Sequence, residues 1–424
     1  MLKTHAHIGL VDLPAQLNRT LLSFDIQKLW EMHFMDIADN GFLQQLDEFL
    51  SRPNQSWLLG AGISKDAGIP LMYPLTARVM DLANGSAHKL LLDALVSELP
   101  ADSHVEHLLS HLGDYTTLGK RNSAGKVSVG GIEYTVQSLK AAHVEVLGHI
   151  AETARWGYIA AHDGLPETIG SFQKPIVSAN AHLDFVQALI GKRQAGLDGR
   201  RRPVRLFTTN YDTLIEDALA LSCYSCWDGF SGGALAFRNH RYGDTEPETG
   251  SRAHLIKLHG SIDWYLGEDG KVWRVRDRDL YPVRTGRVLI YPQSTKYVAT
   301  QRDPFSAQFD IFRRALAQLA ESVLAICGYS FGDEHINQEI ELSLEAPGNK
   351  TTLLAFCGEF VTIPPVLEAW RAAPWGNRVY IMTQRGLYVG SEGPFHGRSD
   401  GTDLDWWTFS GVTKVLLHGS EGAV

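Results

Sequence analysis

The chain has 424 residues, of which 44% are hydrophobic, so it is long enough for one large domain or two. Its 48 acidic residues outnumber 39 basic ones, and the net charge of −9 argues against a general nucleic-acid coat and predicts no direct sequence-specific contact with nucleic acid. No apolar run reaches membrane-spanning length or resembles a cleaved leader, so we expect a cytoplasmic protein without membrane contact.

The first fifty residues carry apolar side chains at helical spacing, which predicts an N-terminal helical segment over residues 1–50. Short apolar runs typical of buried strands follow, mostly separated by segments of helical length: Ser56–Leu59, Val204–Thr208, Leu255–Leu258, Val288–Tyr291, Val323–Cys327, Thr352–Phe356 and Val379–Met382. This alternation predicts an α/β fold, a parallel sheet with helices on both faces.

The first two predicted strands are separated by about 140 residues, far more than one crossover connection needs. The intervening residues, about 72–200, are therefore interpreted as an inserted helical subdomain. We expect the sheet to end near Met382, which leaves residues 386–424 as a C-terminal tail that could serve assembly.

Two groups of residues have the types that bind metals. Cys223 and Cys226 form half of a zinc site, but no second pair follows them. His104, His107 and His111 share one face of a predicted helix, and an apolar opposite face makes an ordinary amphipathic helix the preferred interpretation. We therefore predict no metal site.

The stretch Gly60-Ala61-Gly62-Ile63-Ser64 directly follows the first predicted strand. Glycine permits a tight turn and lets backbone N–H groups approach a phosphate, and the Ser64 hydroxyl adds a donor. Lys65 stands where the dinucleotide fingerprint of dehydrogenases has its third glycine, so hydride transfer is disfavoured. Taken alone, the stretch is equally compatible with a plain strand-to-helix turn.

Polar residues also follow three other predicted strands: Asn210 and Asp212, then His259, Gly260 and Ser261, then Gly328, Ser330 and Asp333. Ligands of open parallel sheets bind outside the carboxyl ends of the strands, so we expect these residues to line one crevice. Structural roles remain open, because Asn210, Asp212 and Asp333 each precede a helical run and could cap it, and His259 could be a core residue.

These motifs, with Ala67-Gly68-Ile69-Pro70 and the forms TTNYDTL, KLHGSIDW and GYSFGDEHI, are similar in type and order to those of sirtuin-like NAD-binding domains over residues 56–340. They look most like the bacterial anti-phage branch, whose members destroy NAD upon infection. The resemblance implies a Rossmann-like domain over residues 51–385 that takes NAD as its substrate. It places NAD contacts at Gly60, Ala61, Gly62, Ser64, Gly68, Gly328, Ser330 and Asp333, and catalysis at Asn210, His259 and Asp212.

The sequence departs from the protein-deacetylating sirtuins at two points. Their motif continues into Asp-Phe-Arg, whereas Pro70 is followed here by Leu71-Met72-Tyr73, and their four-cysteine zinc ribbon is missing. We therefore predict an NAD glycohydrolase that forms nicotinamide and ADP-ribose. The alternatives are an NAD-dependent deacylase or ADP-ribosyltransferase, and a non-catalytic nucleotide-sensing subunit.

Cleavage of the nicotinamide–ribose bond requires a held ribose and one water aimed at its anomeric carbon. The Asn210 amide can donate to ribose or carboxamide groups and accept from water, and His259 can take a proton. Asp212 could bind the nicotinamide amide or balance developing positive charge. A toxic enzyme needs control, so we expect a homo-oligomer, and the resemblance suggests a HerA-like DNA-translocating ATPase as a partner.

Overall fold

A computed structural model of the protein describes residues 41–194, 202–276, 284–289, 303–398 and 401–423. The chain divides into two units, Met1–Glu48 and Phe49–Val424. Residues 41–51 are helical (α1), and residues 41–48 are the described part of the first unit. The remainder of the predicted N-terminal helical segment lies outside the described residues.

A nine-stranded sheet organises the second unit. In spatial order its strands are β18 (Glu392–Phe395), β17 (Gly386–Val389), β16 (Val379–Thr383), β15 (Thr351–Phe356), β14 (Ser322–Cys327), β1 (Gln55–Leu59), β6 (Val204–Thr208), β10 (Ala253–Lys257) and β7 (Cys226–Trp227). The strands from β16 to β7 are all parallel. The order β10-β6-β1-β14-β15-β16 is the doubly wound Rossmann order, and it reverses between β1 and β14.

Helices cover both faces of this sheet, because the strands are apolar on both sides. Leu58 of β1 shares a buried cluster with several residues from each of α9 (Phe305–Leu316), α10 (Glu334–Glu345) and α11 (Pro365–Ala372). The adjacent Trp57 points to the other face, where its ring lies 5.3 Å from Phe185 of α7 (Asn180–Val186). Phe185 in turn contacts Phe409 of α12 (Phe409–His418), with 5.0 Å between ring centroids. The predicted Rossmann-like α/β fold is thus confirmed.

The segment interpreted as a helical insertion has its own apolar core. Four helices surround that core: α3 (Met72–Leu82), α4 (Lys89–Ser97), α5 (Val105–Arg121) and α6 (Val136–Trp156). The segment also contains two hairpins, β2 (Lys126–Val129) with β3 (Ile132–Thr135) and β4 (Tyr158–Ile159) with β5 (Thr168–Ile169). Its final helix, α7, continues as a π-helical stretch over Gln187–Arg193 and packs on the main sheet.

A separate five-stranded antiparallel sheet is formed by strands that lie before and after β10 in the chain. It consists of β13 (Arg284–Leu289), β11 (Gly260–Gly267), β12 (Val272–Val275), β9 (Leu235–Arg238) and β8 (Phe230–Gly232). The prediction that Val288–Tyr291 adds a parallel strand is therefore wrong, because β13 pairs antiparallel with β11; residues 290–291 lie outside the described residues. A short apolar run does not reveal which sheet it joins.

The main sheet continues beyond Met382, contrary to the sequence-based expectation. β17 pairs antiparallel with β16, and β18 pairs with β17. Trp406 is fully buried, and its Nε1 donates a hydrogen bond to the Thr383 carbonyl at 2.7 Å. The predicted tail is thus part of the core of the second unit, and its role in assembly stays a prediction.

The remaining helices are short: α2 (Gly62–Lys65), α8 (Leu214–Leu221) and the 3₁₀ turns Gly376–Arg378 and Glu421–Ala423. Within the described ranges, no helix combines the length and the apolar composition that a membrane span needs.

Candidate functional site

The loops after β1 and β14 meet at the point where the strand order reverses. The Gly60 amide donates to the Cys327 carbonyl at 3.0 Å, and the Gly62 amide donates to the Gly328 carbonyl at 2.8 Å. A Cβ on Gly60 would lie 2.5 Å from the Gly328 oxygen, and one on Gly328 would lie 2.6 Å from the Ile63 nitrogen. Only residues without side chains allow the two backbones to approach so closely.

This packing gives the glycines a role that differs from the predicted one. The sequence suggested that the amides of Gly60 and Gly62 approach a phosphate, whereas both are bonded to carbonyls of the facing loop. The helix that follows, α2, is a single turn. NAD contacts by Gly60, Ala61, Gly62 and Gly328 stay predictions, and the structure explains the three glycines by contact between loops.

Ser64 links the first glycine motif to the predicted catalytic loop. Its hydroxyl is buried, donates to Asp212 Oδ2 at 2.8 Å and accepts from Asn210 Nδ2 at 3.0 Å. The two partners lie in the loop between β6 and α8. Three residues singled out from two separate motifs therefore form one buried hydrogen-bonded group.

Asp212 is held on several sides. Its Oδ1 accepts a hydrogen bond from the Leu214 amide at 3.0 Å, so this carboxylate does bond to the first residue of α8. The buried Lys257 ammonium donates to the Asp212 carbonyl oxygen and lies 3.1 Å from Glu216 Oε1. Burial is the main cause that raises the pKa of Glu216 above its usual range, and the charge of Lys257 opposes it.

Asn210 carries a buried polar atom that no group in the described part of the chain satisfies. The residue is only 8% exposed, and its amide nitrogen is committed to Ser64. Its backbone N–H donates to Thr208 Oγ1 at 3.0 Å. Among the described residues, no group donates a hydrogen bond to Asn210 Oδ1. A buried acceptor without a donor is costly, so this atom is suited to a ligand or a bound water.

His182 is a buried member of this group that the sequence did not indicate. It is fully buried on α7, and its Nε2 lies 3.5 Å from Ser64 Oγ. Burial lowers the pKa of His182, although the nearby Asp212 charge acts in the opposite direction. The neutral ring is therefore favoured. No motif surrounds His182, and 118 residues separate it from Ser64, so no local pattern could have identified it.

His259 lies in a second cluster, at the end of β10. It is 3% exposed, and its ring lies nearly parallel to that of His335, with centroids 5.6 Å apart. Asp333 directly precedes α10, in which His335 lies. Asp333, predicted to contact NAD, is thus beside the predicted catalytic histidine.

The loops that carry Asn210 and His259 are hydrogen-bonded to each other. The Tyr211 carbonyl accepts from the Ile262 amide at 2.9 Å and from Ser261 Oγ at 3.3 Å. The Tyr211 hydroxyl donates to Glu106 Oε1 of α5 at 2.8 Å. The tyrosine side chain therefore anchors the predicted catalytic loop to the segment interpreted as an insertion.

Gly68 and Ser330 are two further residues that the sequence predicts as NAD contacts. Gly68 has a positive φ of 87°, and a Cβ there would lie 3.1 Å from the Ile176 carbonyl oxygen. Ser330 is exposed, and its Oγ accepts from the Gly332 amide at 3.3 Å. The neighbouring Phe331 is a non-glycine residue with φ of 59°, a strained conformation that concentrates at functional loops. Roles for Gly68 and Ser330 in NAD binding stay predictions.

Comparison with known proteins places one family on this region. Residues 204–374 match the family model of the SIR2-like domain. The match covers less than half of the chain, and it includes Asn210, Asp212, His259, Gly328 and Asp333. It supports the resemblance to sirtuin-like domains that the motifs indicated.

Comparison of the whole chain with solved structures and with curated proteins gives only a weak structural similarity. A crystal structure of a Sir2 homolog–NAD complex aligns with 75% of this chain and 84% of its own, with 13% identity and a TM-score of 0.35. At that TM-score the likeness carries no argument for this chain. No curated protein matches the chain.

Proposed function

We propose that this protein hydrolyses NAD at the bond between nicotinamide and ribose, forming nicotinamide and ADP-ribose. The observation that carries the proposal is the buried Asn210, whose Nδ2 is fixed by Ser64 while its Oδ1 has no donor among the described residues. An amide held in this way presents one acceptor in a fixed direction. Such an acceptor can orient a water or a ribose hydroxyl.

The remaining roles follow from the surrounding contacts. His259 acts as the general base that takes a proton from water or a ribose hydroxyl. Asp212 keeps Ser64 and hence Asn210 in place through the 2.8 Å hydrogen bond, and its negative charge favours developing positive charge on the ribose. In the balanced reaction the C–N bond breaks, the water oxygen bonds to the anomeric carbon, and one proton is released.

Support for NAD as the substrate comes from the family match and from the fold. Residues 204–374 match the SIR2-like domain and include Asn210 and His259. The strand order reverses between β1 and β14, and open α/β sheets bind ligands in the crevice at such a reversal. The close contact between Gly60 and Gly328 lies at this reversal.

The biological setting is proposed on the resemblance of the motifs. We infer an effector of bacterial anti-phage defence that depletes NAD in the cytoplasm, acts as a homo-oligomer and is controlled by a HerA-like ATPase. The net charge of −9 suits a protein that reaches DNA through such a partner instead of binding it directly.

The test is incubation of the full chain with NAD alone, followed by chromatographic measurement of nicotinamide and ADP-ribose. We expect both products in equal amounts without any acceptor. Asn210→Ala and His259→Ala should abolish the reaction, the histidine change by about 10²- to 10⁴-fold, with unchanged circular dichroism.

The matched controls are the exposed Asn122→Ala and His162→Ala, which should retain the wild-type rate. Turnover that requires an acylated peptide would support the deacylase alternative, and ADP-ribose found on protein would support a transferase. NAD binding without product would support the sensing subunit. Any of these three results would overturn the hydrolase proposal.

A further inference from the structure

Three side chains with metal-binding chemistry converge at the end of β10. His259, Asp333 and His335 each offer one ligand atom, and these atoms all lie within 4.8 Å of one another. His259 is buried, and the other two are half-buried. The three residues come from two segments that are far apart in the chain. His259 follows a strand, and Asp333 and His335 lie at the start of a helix.

The helix start shows that the Asp333 carboxylate is not used as a cap. Asp333 is the N-cap residue of α10, yet its side chain makes no capping hydrogen bond. The amides of Ile336 and Asn337 donate to its backbone carbonyl instead, at 3.1 and 3.0 Å. Aspartate at this position ordinarily accepts from the helix amides through its side chain. Here the carboxylate is directed to the two histidines.

The donor set distinguishes between kinds of cation. Two imidazoles and one carboxylate form a site for zinc and related divalent transition ions, whereas magnesium prefers oxygen ligands and water. A tetrahedral zinc ion with bonds of about 2.0–2.1 Å holds its ligands about 3.3 Å apart. Side-chain rotations that shorten the distances between the three ligand atoms by roughly 1.5 Å or less would give that spacing, and a water can complete the fourth position.

We propose that His259, Asp333 and His335 form a binding site for a divalent transition-metal ion. The sequence alone predicted no metal site, because the ligands come from two distant segments. The ion bonds through a lone pair of the His259 ring, and a general base needs that same lone pair. Metal binding therefore inhibits NAD cleavage, a consequence that rests on the proposed function.

Zinc binding by the metal-stripped full chain tests the site without reference to activity. In equilibrium dialysis the wild type should bind one more equivalent of zinc than His335→Ala does, or should bind that equivalent about tenfold or more tightly than the variant. His162→Ala, at an exposed histidine, is the matched control and should bind as the wild type does. Asp333→Asn provides a second variant, and circular dichroism confirms folding of each. Magnesium in place of zinc should not bind.

Equal zinc stoichiometry and affinity in the wild type, His335→Ala and Asp333→Asn would overturn the site. The activity arm compares each protein with and without zinc. We expect zinc to slow the wild type reversibly and to slow His335→Ala much less. If the variants lose zinc while no protein cleaves NAD, the site stands and the proposed function fails. Cleavage with equal zinc sensitivity in all variants would overturn the inhibitory role.

Discussion

Ser64 Oγ donates a hydrogen bond to Asp212 Oδ2 at 2.8 Å, across 148 positions of the chain. This contact joins the turn after the first strand of the sheet to the loop after β6, and the same hydroxyl accepts from Asn210. The serine of the first motif therefore supports the predicted catalytic residues directly. Its importance does not depend on whether it also contacts NAD.

Ser64→Ala should lower both stability and NAD cleavage. The change leaves the amide of Asn210 and one oxygen of Asp212 unsatisfied in a buried place, which costs about 1–3 kcal/mol. We expect urea denaturation to show that loss and the cleavage rate to fall at a temperature where the variant is folded. Ser97→Ala, at an exposed position, is the matched control. A fully active Ser64→Ala would remove the serine from the positioning group.

Gly60→Ala should destabilise the fold, since the added methyl would lie 2.5 Å from backbone atoms of Gly328 and Tyr329. We expect a cost of about 1–3 kcal/mol or more, measured as a lower midpoint of thermal unfolding. Gly148→Ala is the control, because a Cβ there meets no atom within 4 Å and the residue lies inside α6. It should be stabilising by about 0.5–1 kcal/mol. Equal midpoints for both variants would contradict the close packing of the two loops.

Lys257→Met should be strongly destabilising, because it removes the buried ammonium that lies 3.1 Å from the carboxylate of Glu216, whose side chain is only 12% exposed. Removal of one partner of a buried ion pair costs about 3–5 kcal/mol. The double variant Lys257→Met/Glu216→Leu should recover much of that loss. Denaturant unfolding of the two single variants and the double variant gives the coupling energy. Additive effects would show that the pair does not interact.

The stability of the protein should fall as the pH decreases from about 6.5 to about 4. His254 is buried in β10, and burial, with the nearby Arg205 charge, lowers its pKa to about 4. Burial also lowers the pKa of His143 to about 4. In this range the unfolded chain binds protons that the folded chain does not, so folding loses up to about 3 kcal/mol per histidine.

His254→Gln should flatten this pH dependence, since glutamine does not titrate. The measurement is the free energy of unfolding in urea at several pH values. The exposed His162→Gln is the matched control and should leave the slope unchanged. An unaltered slope for His254→Gln would show that the pKa of this ring is the same in the folded and the unfolded chain.

The parallel strands could be predicted from sequence because each is apolar on both faces, as in Val204–Thr208, which the structure reproduces as β6. The pairing of the antiparallel strands β13 and β17 could not be predicted, since a local sequence pattern does not indicate which neighbour a strand pairs with. The polar residues at strand ends could be predicted as well, because an apolar strand that is recognised in the sequence also shows where it ends. The role of His182 could not be predicted, because it lies on a helix, where a histidine among apolar residues resembles any core residue.

The sheet order also has a consequence for synthesis of the protein. β1 is made well before β14, yet the two strands pair, and the Gly60 amide donates to the Cys327 carbonyl. A nascent chain that stops before Ser322 therefore contains Asn210 and His259 but lacks the loop against which the first glycine motif packs. Under the proposed function, this long-range dependence withholds NAD cleavage from incomplete chains during translation.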